Sequence, residues 1–443
     1  MNTKQLIAFS LFTIIGLKSM AQNNVVMLPL DSAIQMSLRQ SRQLQLDKSK
    51  IDAAYAKYQQ AKDLQLPTAK ISAGYTRLSD NVDPYTIHLP QGMGEKTLSP
   101  QIVNHYTPTL SVSQTVYAGG QIKYAERSMY LLEEASRLDL EKNKSQIIYN
   151  TTSALFNLFK IQQTKKIIEE DIIQVRDHVK NIKSYEKNGL ALKNDVLKIE
   201  LQLTDLEHSL IEINSAQEIA EYNTSILLGL PTNSTYQLIS SDYNRSITAK
   251  NLEDYQNDAL NHRYDLKASD KRVGAAILGV KSAIGNYYPS LNVGGNYYYN
   301  RPNARVFPQE DNFKATWDAG VTLSWNIHSL YTNKHRIAES KATLAQSSVE
   351  KDMLLDKIQV EVNTDYQTYL KNTQRIKVSE EAVAQAQENY RIVNNRFHNN
   401  TVLISDLTDA NTLLLQTKIN LIVDKADASL AYYKLLQSTG LNK

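Results

Sequence analysis

The sequence contains no cysteine, which removes disulfides, thiolate metal sites, thiol nucleophiles and a lipid anchor on an N-terminal Cys. It also lacks an apolar run long enough to cross a bilayer as a helix. The best candidate, Leu6 to Leu17, falls short of the roughly 20 residues such a helix needs. Phe and Trp are scarce, at 7 and 2, whereas Tyr reaches 26; that balance suits surfaces apolar on one side and wet on the other. Charge of one sign is lacking as well. A net +3 over 443 residues points to no nucleic-acid partner. The 8 His are scattered singly, with no metal-ligand spacing such as H-E-x-x-H. Gly-rich phosphate loops, nucleophile elbows and carboxylate motifs are missing too, so an enzyme finds no support and no cofactor or metal is expected. Lone histidines on a long helix, such as His178 and His208, read as surface residues.

The N-terminus reads as a secretory signal over residues 1–21. Lys4 supplies the positive region, Leu6 to Leu17 the apolar region, and Ser19-Met20-Ala21 a small-residue cleavage site. Gln22 then begins the mature chain, and the protein is expected to be exported. Any part that spans a membrane must be built from strands.

Two copies of one unit follow. Leu30, Leu38, Leu44 and Pro67 match Leu252, Leu260, Leu266 and Pro289 at an offset of 222. Ser113, Asp195 and Gly229 match Ser324, Asp406 and Gly440 at an offset of 211. The difference, 222 − 211 = 11, places 11 extra residues between the strand segments of the first copy. The expected divisions are 22–231 for the first repeat, 232–251 for a Thr/Asn/Ser-rich linker and 252–443 for the second repeat.

Helix breakers are sparse where helices must run. No Pro occurs between Pro108 and Pro231 or after Pro308, and between Gln121 and Leu228 the only Gly is Gly189. Ile147, Thr151, Ala154, Leu158, Ile161, Lys165, Ile168, Ile172, Val175, Val179 and Ile182 alternate steps of four and three, a heptad-type seam with Lys165 its one charged member. A helix from about Gln121 to Lys187 would be on the order of 100 Å long, longer than a compact globular domain can hold. The expected unit is an elongated antiparallel helical hairpin turning at Gly189.

Strand-like segments sit at the Pro/Gly-rich end of each copy: Thr68 to Arg77 and Pro108 to Tyr117, then Ser290 to Tyr299 and Thr316 to Ile327. Ile71, Ala73 and Tyr75 alternate with Lys70, Ser72 and Thr76; Leu110, Val112 and Gln114 alternate with Thr109, Ser111 and Ser113. Segments of this length and alternation fit membrane-barrel strands. Four strands cannot close a barrel and an open edge is not tolerated in lipid, so the chain must oligomerise if those strands enter a membrane. A dimer and a trimer both reach a workable strand count. A purely structural coiled coil or adhesin stalk is disfavoured by the strand pairs and by aromatic runs such as Tyr297-Tyr298-Tyr299, since aromatics gather at membrane interfaces.

The order and spacing of Leu30-Asp31-Ser32-Ala33-Ile34, Val116-Tyr117-Ala118-Gly119-Gly120, Leu227-Leu228-Gly229-Leu230-Pro231, Tyr264-Asp265-Leu266-Lys267-Ala268, Tyr288-Pro289-Ser290-Leu291 and Leu323-Ser324-Trp325 resemble the TolC-like outer-membrane efflux proteins. The resemblance runs over nearly the whole mature chain. It implies a mainly α fold with a membrane β-barrel, in which a homotrimer forms one 12-strand barrel in outer-membrane lipid and a 12-helix periplasmic tunnel. The implied role is a passive exit duct of a tripartite efflux or type I secretion system, docking to a periplasmic adaptor and an inner-membrane pump.

On the family pattern the hairpin tips carry the function. Gly189, Leu190 and Asp195 resemble the first tip, and Asn400 and Thr401 the second, as adaptor-docking positions. Asp406 and Asp409 would face the periplasmic aperture as acidic rings, a device that attracts cations; the alternative is a pair of solvated or capping carboxylates at a helix start. An arginine and a tyrosine that latch the mouth in the best-known member align here with Val402 and Phe397, so Asp195 lacks that partner. The loop enlarged by the 11 extra residues is expected outside the cell.

Overall fold

A computed structural model describes residues 25–80, 83–99, 101–239, 243, 250–399 and 401–442. The expected signal segment, Asn400 and much of the linker lie outside the described residues. The first copy runs β1 (Val25–Leu28), α1 (Leu30–Gln40), α2 (Arg42–Asp63), β2 (Thr68–Ser72), β3 (Tyr75–Arg77), β4 (Tyr85–His88), β5 (Glu95–Ser99), β6 (Asn104–Tyr106), β7 (Thr109–Ala118), α3 (Gln121–Lys187) and α4 (Lys193–Leu228), and β8 (Thr235–Leu238) follows within the expected linker. The second runs α5 (Leu252–His262), α6 (Tyr264–Gly285), β9 (Ser290–Asn300), β10 (Lys314–Ser324), α7 (Ser329–His398) and α8 (Ile404–Ser438).

The described residues gather into two compact units that cut across this order. One takes those of Met1–Ser41, Ile147–Ala249 and Gln367–Leu435; the other takes Arg42–Gln146, Lys250–Tyr366 and Leu436–Lys443. Each copy therefore contributes to both.

In the first unit the expected heptad seam is the face that packs. Ile168, Ile172, Val175, Val179 and Ile182 of α3 are buried against Val196, Ile199 and Leu206 of α4 and against Phe397, Ile404 and Leu407 at the second tip. A separate core gathers Leu155, Phe156, Leu158 and Phe159 of α3 with Leu28, Leu30, Ala33, Leu228, Tyr236 and Tyr243. Phe156 meets Tyr243 edge-on at 4.9 Å between ring centres, and Phe159 stacks on the same ring at 4.8 Å. Beside this core β1 and β8 pair in parallel.

In the second unit the strand order is β10-β9-β7-β2, antiparallel throughout. The expected first strand is broken. Its outer part, β3, pairs with β6 instead, and the interruption falls opposite Pro108, which has no N–H to give the ladder. Between β3 and β6, β4 and β5 form a small hairpin of their own, which occupies the enlarged loop. The last strand starts at Lys314 and ends at Ser324, two residues earlier at its start and three earlier at its end than the alternation suggested. Arg263, at the elbow between α5 and α6, ties the unit together: it donates to Asp265 at 2.7 and 3.0 Å, to Glu361 of α7 at 2.7 Å and to the Ser438 carbonyl at 3.0 Å.

The passage from β7 to α3 turns at Gly119 and Gly120, with φ of 60° and 81°. A Cβ at Gly119 would collide with the Gly285 carbonyl oxygen and stand 2.9 Å from Tyr288 Cβ. Strand and helix can be this close only because nothing projects between them. Gly119→Ala is expected to destabilise by more than about 1 kcal/mol, read as a lower unfolding midpoint of the detergent-solubilised protein in denaturant.

Candidate functional site: hairpin tips and strand sheet

Both tips are built on one plan. At the first, Gly189 takes φ 72° and the Leu190 N–H donates to the Tyr185 carbonyl at 2.8 Å, ending α3. Asp195 then begins α4: its Oδ2 accepts from the Leu192 N–H at 3.0 Å. At the second tip the Thr401 N–H and Oγ1 both donate to the Arg396 carbonyl at 2.9 Å. Asp406 repeats the role of Asp195, accepting from the Leu403 N–H at 3.2 Å. The 211-residue offset thus holds at the level of single hydrogen bonds. Asp409 is exposed one turn further on, while Leu407 and Ala410 between and beside these carboxylates are buried. Leu190, Leu192 and Leu403 are left in solvent at the two turns.

Where a polar latch was missing, the tip holds an apolar core. Phe397 is buried and Val402 packs on the same cluster as Ile182, Val196, Ile199, Ile404 and Leu407. The two tips therefore share one hydrophobic interior.

Beside that interior lies a partly buried polar chain that sequence reasoning missed. Asn411 Nδ2 of α8 donates to both oxygens of Asp171 on α3, at 3.0 and 3.1 Å. Gln174 Nε2 donates to Asn411 Oδ1 and to Tyr390 Oη of α7, each at 2.8 Å, and Tyr390 Oη is 2.9 Å from His178 Nε2. His178 corrects the surface reading: it is 8% exposed, and its Nδ1 is buried without a hydrogen-bond partner. It had no flag in the sequence because it sits beside the seam residue Val179, on a helix whose breadth of burial depends on α7. His208, by contrast, is exposed and faces Glu212 at 3.6 Å. Burial pushes the Asp171 carboxyl up and the Tyr390 hydroxyl up to about 12. Burial, with His398 adding repulsion and Asp177 opposing it, pushes the His178 imidazole down.

The strand sheet has two chemically distinct faces. Residues paired across a ladder share a face, so the registers align Ile71 with Leu110, Leu110 with Tyr297 and Tyr297 with Trp317. The same face carries Val112, Val293, Val321 and Leu323, and these side chains are exposed, Trp317 by 74%. A bulge at Val116 turns Tyr117 onto the same face, opposite Leu291. The other face presents Ser111, Ser113, Asn292, Asn296, Asp318 and Thr322. Among the described residues, no further strand pairs with the outer edges of β2 and β10.

A mainly helical chain with paired long hairpins and a strand sheet apolar on its exposed face is the architecture of a known family. The family model for outer membrane efflux proteins matches residues 33–230 and 256–441. The chain belongs to the outer membrane efflux protein family. It is accordingly an outer-membrane efflux channel. Solved structures agree in fold. The outer-membrane channel OprN superposes with a TM-score of 0.76 at 17% identity, over 93% of this chain and 90% of its own. The outer membrane protein VceC from Vibrio cholerae gives 0.76 at 16%, over 93% and 96%. CusC gives 0.78 at 14%, over 96% of both chains. No curated protein sequence matches the chain.

The efflux protein's buried chain predicts a pH response. Above the ordinary histidine range His178 is neutral folded or unfolded, so its contribution to stability is complete. As pH falls below that range the unfolded chain takes up a proton that the buried imidazole refuses, and stability drops. The raised Asp171 works in a lower window, where the folded carboxyl binds a proton before the unfolded one and acidification favours folding. Melting followed by circular dichroism should therefore show a lower midpoint at about pH 5.5 than at about pH 7, and His178→Gln should flatten that difference.

Proposed function

We propose that the chain assembles as a homotrimer whose sheets close one 12-stranded barrel in outer-membrane lipid and whose hairpins line a periplasmic tunnel. The observation that carries this reading is the sheet with one apolar, exposed face and two edges that no other strand among the described residues pairs. In hydrocarbon every backbone N–H and C=O must find a partner within protein, so β10 of one copy must pair with β2 of the next. The two strands run in opposite directions along the order β10-β9-β7-β2, so this pairing continues the antiparallel alternation and repeats until the ring closes. A dimer would make eight strands, an interior that side chains fill; twelve leave a channel. The loops holding β3 to β6, and the turn between β9 and β10, then lie outside the cell.

Helix α4 supports the same assembly. One seam of it is spent within its own unit, yet Leu197, Leu201, Ile211, Ile219, Tyr222 and Ile226 remain exposed at helical spacing on another face. An apolar stripe of that length on a soluble rod calls for a neighbouring helix, and a neighbouring copy supplies it. As a passive duct the trimer takes its driving force from an inner-membrane pump through a periplasmic adaptor. Gly189, Leu190, Asp195, Asn400 and Thr401 at the hairpin turns are the docking positions, with Leu192 and Leu403 adding apolar surface.

The mature protein should therefore run as a trimer in mild detergent by light scattering or native mass spectrometry. A stable monomer or dimer there would rule the barrel out.

At the periplasmic mouth we assign Asp406 and Asp409 to the aperture. Asp406 spends one carboxylate oxygen on the Leu403 N–H, which fixes its orientation; Asp409 stands exposed beside it. Six carboxylates around a narrow lumen repel one another, and a bound cation relieves that repulsion. Trimers in planar bilayers should be blocked by multivalent cations from the periplasmic side. Asp409→Asn, which leaves the helix start untouched, should weaken that block, and Asp406→Asn with Asp409→Asn should weaken it further. Unchanged block in both variants would leave these groups as helix-start carboxylates alone.

A further inference from the structure

The turn between β9 and β10 does not stand clear of the strands. Asn303, only 1% exposed, donates from Nδ2 to the Lys314 carbonyl at 2.8 Å and to Thr316 Oγ1 at 3.0 Å, while its Oδ1 accepts the Arg305 N–H at 3.0 Å. Arg301 holds the far side of the turn through two hydrogen bonds to Asp311, at 2.9 and 3.1 Å. So braced, the turn sends Arg305 back down the sheet. Its guanidinium lies 4.2 Å from the centre of the Tyr298 ring and 2.5 Å from Asp318 Oδ2. Asp318 also accepts from Asn296 Nδ2 at 2.9 Å.

Asp318 is four residues into β10 from Lys314, roughly 14 Å along the strand. It sits on the polar face. The registers set Lys70 opposite Ser111, Ser111 opposite Asn296 and Asn296 opposite Asp318, one row across all four strands. A single level of the polar face thus carries Lys70, Asp318 and, from the turn, Arg305. Its net charge is one positive per chain.

We propose that this row is a second selectivity ring near the outer end of the duct, positively charged and suited to carboxylate or other anionic groups on the departing solute. The proposal rests on the trimeric-barrel reading, in which the polar face lines the lumen. Arg305 is the charge-bearing arm, Tyr298 the surface on which it lies, and Asp318 the group that holds it at a fixed height. Three copies narrow the passage from the outside, with a charge opposite in sign to that of the acidic aperture.

The test uses purified trimers in planar bilayers under a KCl gradient. Arg305→Gln removes the cation and leaves Asp318, so the reversal potential should shift towards cation selectivity; Asp318→Asn should shift it the other way. Because the chain has no native Cys, Arg305→Cys and Thr322→Cys each offer a single thiol to a charged methanethiosulfonate. Reaction at Thr322, on the same polar face nearer the helices, reports the lumen independently of the turn. Conductance falling on reaction at both positions, together with the two opposed shifts, establishes the ring. Conductance falling at Thr322 while the Arg305 and Asp318 variants keep the wild-type reversal potential overturns it and leaves the barrel standing. No response at Thr322 in a conducting channel removes the barrel reading and the ring with it.

Discussion

A peptide group inside hydrocarbon has no water to bond with, and the rest of this architecture follows from that constraint. The four-stranded sheet satisfies its inner ladders, and among the described residues no strand pairs with its two outer edges. Edges left open in lipid would strand backbone groups without partners, which is why the proposed assembly makes the sheet a segment of a larger ring. The alternation along each strand then sorts itself without further instruction: Trp317, Val321 and Leu323 to one side, Asp318 and Thr322 to the other. Where the alternation fails, at Val116 and Tyr117, a bulge restores it by adding one residue to the ladder.

The helices obey a different rule. Away from lipid their stability comes from seams, and α3 supplies one that α4, α7 and α8 complete. An apolar seam alone leaves the vertical register of four similar rods weakly determined. The chain of Asp171, Asn411, Gln174, Tyr390 and His178 supplies what the seam lacks, because hydrogen bonds between particular atoms are made in one register only. The cost is a set of buried titratable groups, each pushed away from its charged form. The apolar tip core around Phe397 and Val402 stands in the same relation to the missing polar pair. It holds the two hairpin ends together through packing, and packing leaves no single charge whose loss would part them.

The two proposed sites differ in what holds them. The carboxylates at the tips are fixed by local backbone geometry, since Asp195 and Asp406 each close the first turn of a helix three residues after its cap. The charged row on the sheet is fixed by distant pairings, with Lys70 and Asp318 brought level by three ladders between residues 248 apart in sequence. A change at one therefore leaves the geometry of the other untouched.

Much of this was legible in the residues alone. The long stretches without Pro or Gly, the heptad seam from Ile147 to Ile182, the turn at Gly189 and the strand segments all appear close to where they were read. The common reason is that backbone propensity and hydrophobic period are local properties, written in neighbouring residues. The capping role of Asp406 was foreseeable as an alternative for the same reason. His178 was not, because its burial depends on Tyr390, 212 positions away. Nor was the break opposite Pro108, which appears only once β2 and β7 are aligned, or the descent of Arg305 onto Tyr298 and Asp318. The sequence by itself determined which segments are helices and strands and which of their faces are apolar. Only the tertiary structure decided which polar groups share a level or a buried interior, because that depends on the register between segments far apart in the chain, and register is set by packing and pairing that no local pattern records.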